Sequence, residues 1–168
     1  MTISSSKLTA DLKKALDEKL ATALKGVKKS DLDGMGQIVV KEMKDLIAKG
    51  ISPIEGAGRF SAYIKANEGG YPLTARKKYP GKKPRPVNLR LSGDFLDDGL
   101  DYRSNVGKLT VEVGYFDKEN INKETGHRDG VHGQPKRPTI PKGNETFAQS
   151  IIRKLESQVQ ALMNRLKA

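Results

Sequence analysis

Three residues with metal-binding side chains lie within a short, glycine-rich stretch: His127, Asp129 and His132. A zinc site needs three or four ligands and a supporting shell of hydrogen bonds. The chain has no cysteine and no third histidine, so nothing in the sequence completes such a site. The pattern favours solvent-exposed polar residues in a loop over a metal site, and we expect no metal or other cofactor.

Four aspartates form the one acidic cluster of the chain. Paired carboxylates can hold Mg²⁺ or act as acid and base. The first of them, however, stands where a short helical turn would begin, and an acid there is favoured by the helix dipole. We interpret the cluster as a helix-start charge and as salt-bridge partners for a basic segment, in this chain or in another subunit: Asp94, Asp97, Asp98 and Asp101.

The remaining residue patterns do not indicate catalysis. The glycines between residues 50 and 70 have neither a phosphate-loop nor a dinucleotide-binding spacing. No Ser, His and Asp are arranged for nucleophilic attack. We therefore expect a protein that is not an enzyme. A DNA-processing enzyme that uses Asp97, Asp98 and His127 is the weakest of the alternatives.

Positive charge is the strongest feature of the composition. The 168 residues carry a formal net charge of +11, which implies a polyanionic neighbour such as nucleic acid or, alternatively, a lysine-rich surface. Aromatic residues make up only 5% of the chain and tryptophan is absent, so the core should be thin and built from Leu, Ile and Val. The sequence has no run of about 18 apolar residues, so it predicts no membrane span. The N-terminus does not have the pattern of a secretory signal.

The first part of the chain, residues 7–49, is predicted to be helical. Leucines recur at every fourth position from Leu8 to Leu24, which gives one apolar stripe on an amphipathic helix. A second helix should begin at a capping box formed by Ser30 and Asp33 and stop at Gly50. Its apolar residues are Ile38, Val39, Val40, Met43, Leu46 and Ile47.

Residues 69–90 are predicted to form an extended basic arm. Between Gly69 and Gly93 there is no Asp or Glu, and four of the eight prolines of the chain lie there. Proline prevents a helix and keeps the backbone extended. We expect the seven cations of this segment to contact DNA or an acidic partner surface: Arg76, Lys77, Lys78, Lys82, Lys83, Arg85 and Arg90.

Residues 87–116 are predicted to form the core of a small antiparallel sheet. Val87 to Leu91 alternates like a strand, and a turn capped by Ser92 should place Phe95 and Leu96 inward. A hairpin around residues 105–107 follows. Its second strand, from Lys108 to Tyr115, should carry Leu109, Val111 and Val113 on one face and Thr110 and Glu112 on the other. Residues 117–143 contain several glycines and prolines and no apolar period, which predicts a long loop. Residues 144–166 form the last helix, with Glu145 in its first turn and Arg165 in its last. The fold class is therefore α+β, with a single domain over residues 1–168.

The order of several short motifs resembles that of a known family, the tail-completion or neck proteins of long-tailed bacteriophages. In that family a Ser-Gly-x-Leu turn precedes a hairpin that ends in Val-x-Val-Gly, and an Arg-Pro-Phe motif opens the last helix. Thr139 stands where the family usually has an aromatic residue, and the basic arm is longer than the family requires. The matching residues are Ser92-Gly93-x-Phe95-Leu96-x-x-Gly99-Leu100, Val111-x-Val113-Gly114, Gly126-His127, Gly130 and Arg137-Pro138-x-Ile140-Pro141.

The resemblance implies a structural virion protein that is assembled in the host cytoplasm and forms a homo-oligomeric, sixfold ring at the head–tail junction. Such rings surround the channel for genomic DNA and adjoin the head connector or stopper on one side and the tail tube or terminator on the other. It implies no contact with a membrane. The expected ring-interface residues are Arg137, Pro138, Ile140, Phe95 and Leu96. A stand-alone basic nucleic-acid-binding protein remains the main alternative.

Overall fold

The computed structural model describes residues 24–62, 86–89, 93–131 and 134–167. In chain order, the structure contains helix α1, a π-helical turn, strands β1 and β2, and helices α2 and α3. Their bounds are Lys29–Ala48, Asp94–Asp98, Leu100–Asn105, Thr110–Tyr115, Lys118–Asp129 and Gln149–Lys167. The two strands are antiparallel, so the predicted α+β class with a small antiparallel sheet and long helices is confirmed.

Two predicted segments lie wholly or largely outside the described residues. The leucine stripe is described only from Leu24 onward. All seven cations of the basic arm fall outside as well: Arg76, Lys77, Lys78, Lys82, Lys83, Arg85 and Arg90.

Helix α1 begins earlier than its predicted capping box. The Lys28 backbone N–H donates to the Asp31 carboxylate at 2.8 Å, which supplies the N-terminal cap in place of the predicted pair Ser30 and Asp33. The Asp33 carboxylate instead accepts from the Ser104 hydroxyl of β1 at 2.6 Å. The helix ends at Ala48, two residues before the predicted stop at Gly50. Gly50 has a φ of 72°, a left-handed conformation that glycine adopts without strain.

The core lies where α1, the π-helical turn, the hairpin and the start of α3 meet. The face of α1 that carries Val39, Met43 and Ile47 is buried, as its spacing predicts. The predicted inward placement of Phe95 and Leu96 in the π-helical turn is also confirmed. The other members of this buried cluster are Val87, Leu89, Leu100, Tyr115 and Ile151.

Helix α3 runs antiparallel to α1. Lys154 pairs with Glu42, and Arg165 pairs with Asp31 at 2.6 Å between Nη2 and Oδ2. Ion pairs with exposed partners contribute little free energy. They nevertheless show how the two helices are aligned. The C-terminal half of α1 pairs with the N-terminal half of α3, and the first turn of α1 pairs with the last turn of α3.

The hairpin pairs Leu100 with Tyr115 at its base and Asn105 with Thr110 at its tip. Val111 and Val113 are half-buried while Thr110 and Glu112 are exposed, so the predicted alternation of faces is confirmed for these four residues. Leu109 was predicted on the same face as the valines, but it lies in the turn and is 38% exposed. The turn spans residues 106–109 and the second strand starts at Thr110, slightly later than predicted.

Two predictions around this core are wrong. Residues 86–89 form a turn and irregular backbone rather than the start of a strand, and Leu89 has a φ of 50°. Val87 and Leu89 are buried all the same, so the apolar alternation reflected burial and not strand pairing. The segment 117–143 was predicted to be a loop, yet it contains α2.

Helix α2 has clear signals at both ends but none between them. The Asp117 carboxylate accepts from the Asn120 backbone N–H at 2.8 Å, and Gly130 closes the helix in a left-handed conformation. Its one buried residue is Glu124. An apolar stripe is therefore absent, and a pattern search based on periodicity cannot detect the helix.

The last helix is shorter than predicted. It begins at Gln149 and not at residue 144, because residues 143–144 form a turn and Phe147 forms an isolated bridge with Ile54. Glu145 therefore precedes the helix instead of lying in its first turn. Arg165 lies in the last turn, as predicted. Within the described ranges, no helix is both long and apolar enough to span a membrane.

Two glycines of α1 provide a matched test of its packing. Gly34 has open space where a Cβ would be, whereas a Cβ at Gly36 would lie 2.4 Å from Cγ of Tyr102. Both replacements gain the same helix propensity. We expect Gly34→Ala to raise the free energy of unfolding by up to about 1 kcal/mol and Gly36→Ala to lower it by about 1 to 3 kcal/mol. Urea denaturation followed by circular dichroism measures both, and equal effects would contradict the close approach of Tyr102.

Candidate functional site

The segment around Arg137 is the centre of the candidate site. The side chain of Arg137 is 1% exposed. Its Nε donates to the Ser61 carbonyl at 3.1 Å and its Nη2 to the Ala62 carbonyl at 2.9 Å. Its backbone N–H donates to the carbonyl of His127 at the end of α2. Arg137 therefore joins α2 to the chain segment that leads into the basic arm.

Both flanks of the basic arm are fixed on the same part of the fold. Before the arm, the Phe60 backbone N–H donates to the Gly50 carbonyl at 2.8 Å. Within the arm, after the first six of its seven cations, Pro86 approaches Gly50 so closely that a Cβ added there would lie 2.7 Å from the Pro86 Cβ. The described residues on either side of these six cations thus meet at the end of α1. Arg137 holds the first of these flanks.

A network of ion pairs holds the Arg137 segment against α2. Glu124 is 4% exposed, and its carboxylate lies 3.2 Å from Arg128 Nε and 3.1 Å from Lys142 Nζ. Arg128 also pairs with Glu145 at 2.9 Å and donates to the Ile140 carbonyl. The Lys142 backbone N–H, and secondly the Arg128 guanidinium, lower the pKa of Glu145. The buried carboxylate of Glu124 is tolerated because the charges of Arg128 and Lys142 compensate it.

Three rings from three elements stack beneath this network. The Phe95 ring of the π-helical turn lies parallel to the Tyr115 ring of β2, with centroids 4.5 Å apart. The His127 ring of α2 is tilted against Phe95 at 5.2 Å. Offset and tilted ring pairs add to the stabilisation from buried area. Phe95 and His127 belong to two of the motifs that carry the family resemblance, and Tyr115 directly follows a third, which ends at Gly114.

Two hydroxyl groups are buried at the bottom of the site. Burial raises the pKa of Tyr115 far above its usual value, and the neighbouring Thr139 side chain offsets only part of this. Thr139 is fully buried in the subunit. The position at which the family usually has an aromatic residue therefore faces the interior of this chain and not a neighbour.

The structure separates the five predicted ring-interface residues into two groups. Arg137, Phe95 and Leu96 are buried within the subunit, where their side chains contact the same chain. Pro138 and Ile140 are half-buried and retain exposed area; the Pro138 carbonyl accepts from the Ser52 hydroxyl at 2.8 Å. A contact of these residues with a neighbouring subunit stays a prediction. Of the five, only Pro138 and Ile140 have side chains that are accessible for such a contact.

The predicted loop histidine is a half-buried residue of a helix. His127 lies on α2 and packs on Phe95, so its assignment as a solvent-exposed loop residue was wrong. Asp129 is exposed on the same helix and His132 lies outside the described residues. Within the described part of the chain, no three His, Cys, Asp or Glu side chains are grouped as metal ligands.

The acidic cluster borders a cleft of about 660 Å³ between α1 and the base of β1. Asp94 begins the π-helical turn, as predicted. Lysines of α1 line the opposite wall of the cleft, and Lys44 Nζ donates to the Asp97 carbonyl at 2.8 Å. Among the described residues, lysines of α1 are thus cations that lie beside this cluster, while an interaction with the basic arm stays a prediction.

Sequence reasoning did not identify Glu124 and Arg128 as residues of the site. Their spacing of four residues places them on one face of a helix. That signal was available in the sequence, but it carries meaning only once α2 is recognised. The buried position of Arg137 had no local signal, because arginine is seldom fully buried.

Comparisons with known proteins leave the family open: no protein-family model, no curated protein and no solved structure matches this chain.

The His127 imidazole should make stability depend on pH. Burial, and secondly the Arg137 charge, lower its pKa from 6.5 to about 4, against an opposing effect of Glu124. Below pH 6.5 the unfolded chain binds a proton that the folded chain does not, so stability falls as the pH falls towards 4. Between pH 7 and 5 the free energy of unfolding should drop by up to about 2 kcal/mol.

The matched variant is His127→Phe, which keeps a ring against Phe95 but has no titrating group. Its stability should fall much less between pH 7 and 5, because unfolded glutamates with a pKa of 4.5 are still mostly ionised at pH 5. Urea denaturation at each pH gives both curves. Parallel curves for the two proteins would show that another group is responsible.

Proposed function

We propose that this chain is a non-enzymatic structural protein of a phage neck, where it forms a ring around the DNA channel at the head–tail junction. One observation carries the proposal. The segments that resemble the neck family are distant in sequence but meet in one core. Phe95, Leu96 and Leu100 are buried together, and Val113 and Ile140 pack against the same cluster.

The placement of the basic arm supports a contact with a polyanion. Six of its seven cations lie between Ala62 and Pro86, and the described residues on either side are anchored at Gly50. A charged segment fixed at both ends presents its cations from a defined place on the subunit. In a ring, the same place recurs in every copy, and the combined charge would line a channel or face an adjoining acidic ring.

The sheet offers a route for contacts between subunits. Among the described residues, β1 and β2 pair only with each other, so each strand has an outer edge. Unpaired N–H and C=O groups at such edges can accept a strand from a neighbour. This is the second feature that suits a ring.

The test is the presence of the protein in purified phage particles. Mass spectrometry should detect it in intact particles, and antibody-labelled electron micrographs should place it at the neck. Its absence from purified particles would overturn the proposal. A monomer in isolation would not, because a neck subunit can oligomerise only when it meets the assembled tail.

Charge reversal can test the part played by the basic arm. Lys77, Lys78, Lys82 and Lys83 are replaced together by Glu, and the matched control replaces four lysines elsewhere: Lys108, Lys118, Lys136 and Lys167. In phage that depend on the supplied protein, the arm variant should give few infectious particles and the control should restore infectivity. Equal infectivity would remove the arm from the mechanism.

A stand-alone nucleic-acid-binding protein is the second candidate, because the arm combines seven cations with no acid. It predicts tight binding of the isolated protein to duplex DNA. The logarithm of the binding constant should then fall with the logarithm of the salt concentration, with a slope of about −0.9 for each phosphate contacted. Binding that survives the charge reversal would exclude this candidate.

A further inference from the structure

An apolar groove lies between the N-terminal half of α1, the hairpin and the middle of α3. Its volume is about 430 Å³, enough for several aliphatic side chains. Its walls come from all three elements and include Leu32, Met35, Val39, Val111, Leu155 and Val159.

The described residues leave part of this groove uncovered. Val159 is 45% exposed and Leu109, at the end of the hairpin turn, is 38% exposed. The apolar face of α3 continues beyond them with Leu162 and Leu166, which are only half-buried. A contiguous apolar surface of this kind indicates a binding partner, because leaving it in water costs free energy in proportion to its area.

We propose that the groove is the docking site for the leucine-striped segment of the same chain, residues 8–24. The described part of the chain begins at the end of this stripe, with Leu24 half-buried and Val27 buried. Only residues 25–28 separate Leu24 from the start of α1. A connection of this length joins antiparallel neighbouring helices, so the segment would pack beside the turn of α1 that carries Leu32.

The dimensions agree with this occupant. As a helix, residues 8–24 would extend for about 25 Å, close to the length of about 30 Å expected for α1. Their five leucines supply a continuous apolar stripe for the groove, and the polar residues between them remain in water. The short connection also keeps the segment at a high effective concentration, which favours docking within one chain over docking between two copies.

This inference goes beyond the proposed function and does not depend on it. It assigns the groove to an intramolecular contact, whether or not the protein belongs to a phage neck. A partner could use the groove only by displacing residues 8–24.

The chain has no cysteine, so a single introduced thiol can report on the groove. Val159→Cys places the reporter on the groove wall, and Val106→Cys places a reference on the exposed hairpin turn. The test replaces Leu12, Leu16 and Leu20 by Ser in the full chain. Its matched control replaces three polar residues on the opposite side of the stripe by Ser: Asp11, Lys14 and Glu18.

If residues 8–24 cover the groove, the leucine variant should make the thiol at position 159 react about tenfold faster with a maleimide, since the local opening equilibrium is lost. The control variant should leave this rate unchanged, and the rate at position 106 should be the same in every protein. Equal rates at position 159 in the leucine variant and its control would overturn the proposal.

A second measurement keeps the docked segment unaltered. A nitroxide attached at Val159→Cys should broaden the amide resonances of residues 16–24 in the same chain, and absence of broadening would overturn the proposal. In a mixture of nitroxide-labelled chains and isotope-enriched chains without the label, broadening should not appear. If it does appear there, the groove is filled by a second copy, and the intramolecular assignment is wrong.

Discussion

Replacing Arg137 by alanine should lower the free energy of unfolding by about 3 kcal/mol or more, because hydrogen bonds to a charged group and a buried side chain are lost together. The guanidinium donates to the carbonyls of Ser61 and Ala62 and is almost completely buried. Its aliphatic part fills space that alanine leaves empty. Few single substitutions in this chain combine these two losses.

Two milder substitutions separate the contributions. Arg137→Met keeps much of the side-chain volume and removes the donors and the charge. Arg137→Lys keeps the charge but cannot donate to two carbonyls in the fixed geometry of a guanidinium. Both substitutions should lower the free energy of unfolding by less than Arg137→Ala does. The matched control is Arg153→Ala on the exposed face of α3, which should change stability by no more than about 0.5 kcal/mol.

The location of the loss is as informative as its size. Hydrogen exchange should accelerate at the Phe60 amide, which donates to Gly50 and lies next to the residues that Arg137 holds. The exchange rates of α1 amides far from Phe60 should increase only because the whole protein is less stable. If Arg137→Ala behaved like Arg153→Ala in both measurements, Arg137 would not be the residue that anchors the flank of the basic arm.

The parts of the fold that follow from apolar spacing could be predicted from the sequence. Val39, Met43 and Ile47 repeat with the period of a helix, and they are the buried face of α1. Val111 and Val113 alternate with Thr110 and Glu112, and this alternation defines the faces of the hairpin. In these elements the same residues that determine local structure also build the core.

The parts that depend on polar contacts could not be predicted in the same way. Helix α2 is held by a cap at Asp117 and by the ion pairs of Glu124 and Arg128, none of which creates an apolar stripe. The orientation of Arg137 is determined by carbonyl groups of residues 61 and 62, far away in the sequence. Such contacts form only when the chain is folded, and no local sequence pattern predicts them.

The candidate site shows the same division. The prediction that Phe95 and Leu96 point inward followed from their types and is confirmed. Their predicted role at a ring interface came from the resemblance alone, and burial now restricts what these side chains can contact. Pro138 and Ile140 remain the accessible residues of the predicted set.

The second large effect is expected for Leu100→Ala, which should lower the free energy of unfolding by about 3 kcal/mol. Leu100 is 2% exposed and belongs to the central buried cluster. It follows the π-helical turn after Gly99 and pairs with Tyr115 across the hairpin, so neighbouring elements cannot collapse into the cavity without losing their own contacts. The loss of unfolding free energy should therefore be larger than the smallest values found when a buried leucine is replaced by alanine.

The matched control is Val106→Ala in the hairpin turn, where the valine is 39% exposed. It removes apolar atoms from the same hairpin and should change stability by less than about 0.5 kcal/mol. Urea denaturation gives both values. A small effect of Leu100→Ala would mean that the hairpin and the π-helical turn do not share one core, and the observation that carries the proposed function would be lost.

This expectation also determines how assembly should be tested. Substitutions at Leu100, Phe95 or Arg137 would prevent assembly simply by unfolding the subunit, so their loss of function would say nothing about a ring interface. Pro138 and Ile140 have exposed area, and Ile140 packs at the edge of the same core. A polar substitution at Ile140 that preserves stability but abolishes incorporation into particles would locate the interface, which no substitution of the buried residues can do.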